Sequence, residues 1–275
     1  MTNAFLCSLA SGSSGNALLV ASAEARVLVD MGLSQRHVRS SLKAAGLAPE
    51  DVSAVLLTHT HTDHFSAAAV GFCLTHRVPV YSAEENLCHL TRHMAGFRQL
   101  GSADLLRPID GAAIQIGDVT VEAFDVPHDS LGRTLGFRLT LGPPRHRRAV
   151  SVATDLGHMP ADSLPTFIDA DAVVLESNHD PDMLRSSGRP RLLIERIAGP
   201  QGHLANEAAA EALAEIVGRS HPGRVASVVL AHLSRDCNTP QLALEAQAHL
   251  ARRHTHPVRL FAATQWDVGP RIELF

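Results

Sequence analysis

Hydrophobic positions along the first thirty residues fall into short runs. Phe5 to Leu9, Ala17 to Ala21 and Val27 to Val29 read as strands, and Ser11-Gly12-Ser13-Ser14-Gly15-Asn16 reads as the flexible turn between the first two. A helix is predicted from an N-cap at Ser34 through Ala45, followed by a buried strand over the apolar run Val52 to Leu57. Further helices are expected over Ala67 to Thr75 and Ala83 to Met94, then strands over Leu105 to Ile109, Val119 to Phe124 and Thr134 to Leu141. Gly142-Pro143-Pro144 breaks the pattern before a strand over Ala149 to Ala153. Strand and helix then alternate: Val173 to Leu175, Asn206 to Gly218 with Asn206 as N-cap, Val228 to Leu230, Thr239 to Arg253, Val258 to Phe261. Strands first and alternation afterwards suggest two packed sheets with helices outside, an α/β sandwich.

Composition narrows this picture. The 275 residues are 45% hydrophobic and 19% charged, as in ordinary globular chains, and one domain over 1–275 is expected. No apolar run approaches the roughly 18 residues of a membrane span, and Met1-Thr2-Asn3-Ala4 lacks the basic start of a secretory signal. The expected compartment is the cytoplasm. Cys7, Cys73, Cys88 and Cys237 form no Cys-x-x-Cys pair, so free thiols are expected in place of a disulfide framework or a thiolate zinc site. A net charge of −4 advertises no polyanionic partner, so nucleic-acid binding would be local. The candidate patches are Arg145-His146-Arg147-Arg148 and Arg185, Arg189, Arg191 and Arg196, although solvated faces also carry such runs.

The 17 histidines are the unusual component. In His59-Thr60-His61-Thr62-Asp63-His64, the alternating pair at 59 and 61 can point two imidazoles the same way, while Asp63 and His64 project differently. That spacing suits two adjacent metal ions better than one; the alternative is a solvated polar turn. His128, Asp155 and His232 each follow an apolar, strand-like run. Singly each reads as a turn residue; with the histidine run they complete two sites, and the two oxygens of Asp155 allow it to bridge. Asp30 ends the third strand before Gly32, either as a turn residue or as an acceptor for a ligand imidazole.

The order Asp30, His59-x-His61-x-Asp63-His64, His128, Asp155, His232 resembles the metal-binding motif series of the metallo-β-lactamase superfamily. The resemblance implies an αβ/βα four-layer sandwich with the site at the edge between two sheets. It also implies two divalent ions, zinc or manganese, one held by His59, His61 and His128, the other by Asp63, His64 and His232, with Asp155 bridging. Cys7 to Asn16, Glu176-Ser177-Asn178-His179-Asp180, Gly202-His203-Leu204-Ala205-Asn206, and Ala231 to Ser234 followed by Asn238-Thr239-Pro240 resemble the YycJ (WalJ) group, regarded as DNA exonucleases. That resemblance implies a hydrolase that cleaves phosphodiesters in DNA through a metal-bridging hydroxide. Asp63, Glu176, His179 and His203 are then the candidate catalytic residues, with His203 as general acid beside Glu176, by analogy with the related transfer-RNA-processing enzymes.

Ser13, Ser14, Gly15 and Asn16 are candidate phosphate contacts, their turn offering backbone N–H groups. Asn178, Ser234 and Asn238 are candidate substrate contacts. Arg235-Asp236-Cys237-Asn238 departs from the group's pattern, in which two asparagines follow the acidic residue; Cys237 reads as a packed side chain or as a thiol near the second metal. With one Trp and one Tyr, a single-stranded partner would be gripped mainly through phosphates. The alternatives are a hydrolase of thioesters, lactones or cyclic phosphodiesters on the same metals, and a nucleic-acid-binding protein without turnover.

Overall fold

The structure, a computed structural model, describes residues 4–248 and 257–274. In the first half β1 (Phe5–Ala10), β2 (Ala17–Ala21) and β3 (Arg26–Val29) form an antiparallel meander. After α1 (Gln35–Ala44) the connections become crossovers: β4 (Ala54–Leu56), α2 (Ala67–His76), β5 (Val80–Ala83), α3 (Glu84–His93), α4 (Phe97–Ser102) and β6 (Leu106–Ile109), with β3 to β6 parallel. The second half repeats this plan. β7 (Ile114–Ile116), β8 (Val119–Asp125), β9 (Leu135–Leu141) and β10 (Arg148–Ala153) are antiparallel. β11 (Ala172–Glu176), α5 (Pro181–Arg185), α6 (Arg191–Ile197), α7 (Asn206–Arg219), β12 (Ser227–Ala231), α8 (Pro240–Ala246) and β13 (Arg259–Ala262) follow, with β10 to β13 parallel. Finally β14 (Ile272–Glu273) returns to pair with β1.

Among the described residues each sheet therefore has seven strands, in the orders β14-β1-β2-β3-β4-β5-β6 and β13-β12-β11-β10-β9-β8-β7. One apolar cluster, with Leu6, Val20, Leu56, Phe137, Val152 and Val174, fills the space between the sheets. Two others join each sheet to its own helices, around Leu42, Phe65, Phe72 and Phe97 on one side and Phe167, Leu175, Leu213 and Ile216 on the other. Four layers result, helix–sheet–sheet–helix. Strands buried on both faces read as near-continuous apolar runs, as Ala-Val-Val-Leu in β11 and Val-Val-Leu-Ala in β12 do. The carboxyl ends of the parallel strands in both sheets open on one edge, where α/β sheets hold ligands. None of the described helices is long and apolar enough to cross a membrane.

Several expectations need correction. The helix expected over Ala83 to Met94 is α3, but β5 just before it was not expected; its four residues gain strand form from pairing with β4 and β6 on either side. β7, β14, α4, α5 and α6 are too short to show a period in sequence. The N-cap position of α7 is Ala205, not Asn206. Asn206 is buried, and its amide exchanges hydrogen bonds with that of Asn238 at 3.0 and 2.9 Å. The helix expected over Thr239 to Arg253 is seen as α8, and residues 249–253 lie outside the described residues. The four cysteines are free, and only Cys88 is exposed.

Candidate metal centre

The histidine run leaves β4 as a compact turn in which His64 and Phe65 N–H both donate to the His61 carbonyl at 3.0 Å. Two neighbouring segments hold that turn. Asn16 N–H donates to Asp63 O at 2.8 Å, and Met31 N–H donates to His64 O at 2.7 Å. Gly32 packs so closely that a Cβ there would stand 1.7 Å from the Asp63 carbonyl oxygen, so only glycine fits. Asp30, with φ +63°, ends β3 in a left-handed bend that turns its carboxylate under the run.

The second sheet contributes one residue at a time. His128 follows β8, Asp155 follows β10, Glu176 ends β11, His203 precedes α7 and His232 follows β12. Asp155 and His232 also have left-handed backbone, at φ +58° and +54°, which lifts each side chain off its strand end toward the cleft. Left-handed backbone costs a non-glycine residue about 1–2 kcal/mol.

These side chains converge. Ligand-capable atoms of His59, His61 and His128 lie within 4.8 Å of one another, as do those of Asp63, His64 and His232. His59 Nε2 and His61 Nδ1 are 2.9 Å apart, and His128 Nε2 is 3.6 Å from Asp155 Oδ1. Asp63 Oδ2 is 3.5 Å from both His64 Nε2 and His232 Nε2, and His64 Nε2 is 3.0 Å from Asp155 Oδ2. Tetrahedral ligands at roughly 2.0–2.2 Å from an ion stand roughly 3.3–3.6 Å apart, so these separations bracket a coordination edge. Asp155 offers a different oxygen to each group. Among the described residues His128 Nε2, His232 Nε2 and Asp155 Oδ2 are buried without a hydrogen-bond partner, a costly arrangement for polar atoms that face no ion.

The far nitrogen of four imidazoles is tied back. His64 Nδ1 donates to Asp30 Oδ2 at 2.7 Å, His232 Nδ1 to Glu176 Oε1 at 2.8 Å, His128 Nδ1 to the Gly202 carbonyl at 3.0 Å and His59 Nδ1 to Thr58 Oγ1 at 3.0 Å. Thr58 in turn donates to Asp30. Fixing that nitrogen fixes the tautomer and aims Nε2 of each ring into the cleft. The His/Asp cluster is consistent with a dinuclear metal site in its donor set and in its supporting shell.

Charge follows the same plan. Burial alone lowers His64 and His232, but carboxylates outweigh it: Asp155 and Asp30 push His64 well up, and Asp155, Asp63 and Glu176 bring His232 to about 10. Asp63 and Asp155 are held below the ordinary carboxylate range despite their burial, by these imidazoles. His59 and His61 are lowered, by burial first and by neighbouring histidines next. Glu176, buried but facing His203 and His232, is held down at about 2. His203 is raised because Glu176 outweighs its burial, and its Nδ1 lies 2.9 Å from Glu176 Oε1. Glu176 Oε2 accepts backbone N–H groups from Leu156 and Leu204, both at 3.0 Å, so its carboxylate is held at both ends.

The remaining sequence candidates fall into different places. His179 is buried beside this group and its pKa is lowered by burial, but among the described residues it shares no metal-capable cluster. Its backbone bridges Ala205 in the His203 loop. Asn178, Ser234 and Asn238 are buried and knit the loops together. Asn178 Nδ2 donates to His232 O, Ser234 N–H to Asn178 O, and Asn238 Nδ2 to the carbonyls of Ser177 and Asn178. Cys237 packs with Leu184 and Ile197 as an apolar side chain, and no metal-capable cluster among the described residues includes it.

In the turn at 11–16, the N–H groups of Ser11, Gly12, Ser14, Gly15 and Asn16 all donate to protein acceptors. The expected cradle of free N–H groups is thus spent internally, leaving the exposed Ser13 and Ser14 side chains at its tip. Asn16 Nδ2 sits 3.1 Å from His64 Nε2. Arg145 to Arg148 lie at the amino end of β10, about one strand length from Asp155, so that patch is remote from the centre. Arg185, Arg189, Arg191 and Arg196 pair with Asp182, Asp236, Glu195 and Asp129.

Sequence reasoning passed over Thr58, the Gly202 carbonyl, and Ser11, whose Oγ accepts the His232 N–H at 2.8 Å. The only available signal was their adjacency to candidate ligands. The comparisons agree with this geometry. The family description "beta-lactamase superfamily domain" matches residues 25–232. A Bacillus anthracis protein named exodeoxyribonuclease YycJ is 34% identical over 235 residues, 86% of this chain and 84% of the relative. Exodeoxyribonuclease WalJ of Streptococcus pneumoniae is 31% identical over 239 residues, 86% and 83% of the two chains. The crystal structure of zinc-bound PqqB from Methylobacterium extorquens superposes with a TM-score of 0.67 at 17% identity, covering 98% of this chain and all of that one. Strand-end ligands, sheet order and family match agree: the chain belongs to the metallo-β-lactamase superfamily and carries its His/Asp metal site.

Proposed function

We propose that the protein is a dinuclear metal-dependent phosphodiesterase that acts as an exonuclease on DNA. His59, His61 and His128 would hold one ion and Asp63, His64 and His232 the other, with Asp155 shared; an all-imidazole and carboxylate donor set suits zinc or manganese. Two such ions would supply a water ionised near neutral pH and would neutralise phosphate charge. The protein does the rest. Asp63, partly open to the cleft, holds a negative charge there. Glu176 fixes His203 through Nδ1 and favours its protonated form, which leaves Nε2 to donate to the departing oxygen.

The observation that carries this reading is the His203–Glu176 pair beside Asp155, with His203 Nδ1 3.5 Å from Asp155 Oδ1. The alkoxide leaving from a DNA phosphodiester is strongly basic and needs a proton, whereas the thiolate of a thioester leaves without one. The names of the two bacterial relatives support DNA as substrate. The test is a metal-reconstituted panel of end-labelled duplex and single-stranded DNA and RNA beside a thioester, a lactone and bis(p-nitrophenyl) phosphate. Stepwise shortening of DNA is expected. Rapid thioester or lactone turnover without nucleolysis under zinc or manganese would overturn the reading.

A further inference from the structure

Trp266, the only tryptophan in the chain, is 54% exposed. It lies four residues beyond β13, on the same sheet edge as His232 at the end of the adjacent β12. The ring is not alone. The His37 imidazole, on the first turn of α1, packs against it with centroids 5.9 Å apart and planes tilted by 30°. α1 follows the Asp30–Gly32 segment of the other sheet, so the two rings join the edges of both sheets across the cleft rim.

The neighbouring residue ties this pair to the centre. Gln265 Oε1 accepts the Ser14 N–H at 3.0 Å, and Gln265 Nε2 donates to Gly15 O at 3.2 Å. Ser11 N–H donates to Thr264 O at 2.9 Å. The same Ser/Gly turn ends in Asn16, whose amide reaches His64 Nε2 and the Asp63 carbonyl. An exposed indole backed by an imidazole, two exposed serines at 13 and 14, and the metal ligands therefore follow one another along a continuous, hydrogen-bonded wall.

Resting on the phosphodiesterase reading above, we propose that Trp266, backed by His37, is a base-stacking platform for the nucleotide flanking the scissile phosphate. A flat apolar face beside hydroxyls matches a nucleotide's own division into base and phosphate. Stacking of this kind accepts every base, as exonuclease digestion requires. It also favours a single-stranded end, because only an unpaired base can lie on a side-chain ring.

Because Trp266 is the sole indole, its emission reports this subsite directly. Metal-reconstituted protein is titrated with a phosphorothioate single-stranded decadeoxynucleotide, following Trp emission and, with a dye-labelled copy, anisotropy. A decamer with abasic residues at the end is the control. Emission is expected to change with the base-bearing oligomer, and much less with the abasic one. Trp266→Ala should weaken the base-bearing oligomer roughly 5- to 150-fold, the range for one stacked base, and leave the abasic Kd as it is in the wild type. Trp266→Phe, which keeps a ring, should stay within about threefold of wild type. Binding seen by anisotropy without any emission change, or equal weakening of both oligomers, would overturn the platform while leaving the phosphodiesterase reading intact. Failure to bind either oligomer, with no nucleolysis, would overturn both.

Discussion

The two sheets build one centre by different means. The first supplies four side chains, His59, His61, Asp63 and His64, from a single six-residue turn whose backbone closes on itself through the His61 carbonyl. The second supplies His128, Asp155, Glu176, His203 and His232 from five separate positions spread over more than one hundred residues. Local hydrogen bonding orders the first group; sheet register and a shared carboxylate, Glu176, order the second. The first half is thus a preformed unit, and the second is only as accurate as the packing of β8, β10, β11 and β12.

The largest expected effect comes from the residue that joins the halves. Asp155→Ala removes the one carboxylate among the described residues that faces both groups, so elemental analysis after reconstitution should drop from two metal equivalents toward one or none, and nuclease activity should fall to background. Two retained equivalents with activity intact would refute the shared bridge. Next is His203→Ala, which belongs to the dispersed half and holds no ion in this reading. It should keep both metals while kcat on DNA falls roughly 10²- to 10⁴-fold, with a smaller loss on bis(p-nitrophenyl) phosphate, whose leaving group needs little protonation.

The pH profile sharpens the same point. A general acid works protonated, and Glu176 raises the pKa of His203. The rate on DNA should therefore hold below that raised value and decline as pH climbs through it. The declining limb should vanish in His203→Ala and move to lower pH in Glu176→Gln, where the supporting charge is gone. A limb unchanged in both variants would assign it to another group.

Smaller effects should follow from the supports. Asp30→Asn keeps the size of the side chain beneath His64 but loses its charge, so chelator competition should show roughly 10- to 100-fold weaker retention of one ion. Loss of both ions to the same degree would mean that Asp30 supports the whole fold of the edge. The least effect is expected from reversing Arg189 to Glu. Its partner Asp236 already offsets it at 3.0 Å, and an exposed pair contributes about 0–1 kcal/mol, so KM on DNA should move less than about fivefold.

The contrast between the halves also governs what could be read in advance. Contiguous ligands show themselves by spacing alone, so the His59–His64 run was legible. The scattered ligands were legible only because each follows an apolar strand, which ties their visibility to the visibility of β8, β10 and β12. Thr58 was hidden, since a threonine at a strand end looks the same whether or not it bonds a carboxylate and two imidazoles. The Gly202 carbonyl leaves no trace in residue type at all. For the Ser11–Asn16 turn, composition was right about a turn and wrong about free donors, because long-range contacts with Asp63, Thr264 and Gln265 consume three of them and bonds within the turn two more. Trp266 was missed for the opposite reason: counting aromatics says nothing about where the only one stands.

Among the described residues, six that are not glycine have left-handed backbone, and three of them, Asp30, Asp155 and His232, meet at one point. A map of backbone angles, blind to every side chain, would therefore lead to the centre. It also marks a conflict written into the chain. At these positions the main chain would relax most readily with glycine, the one substitution that removes the chemistry entirely. Selection for thermal stability alone would therefore tend to erase the centre.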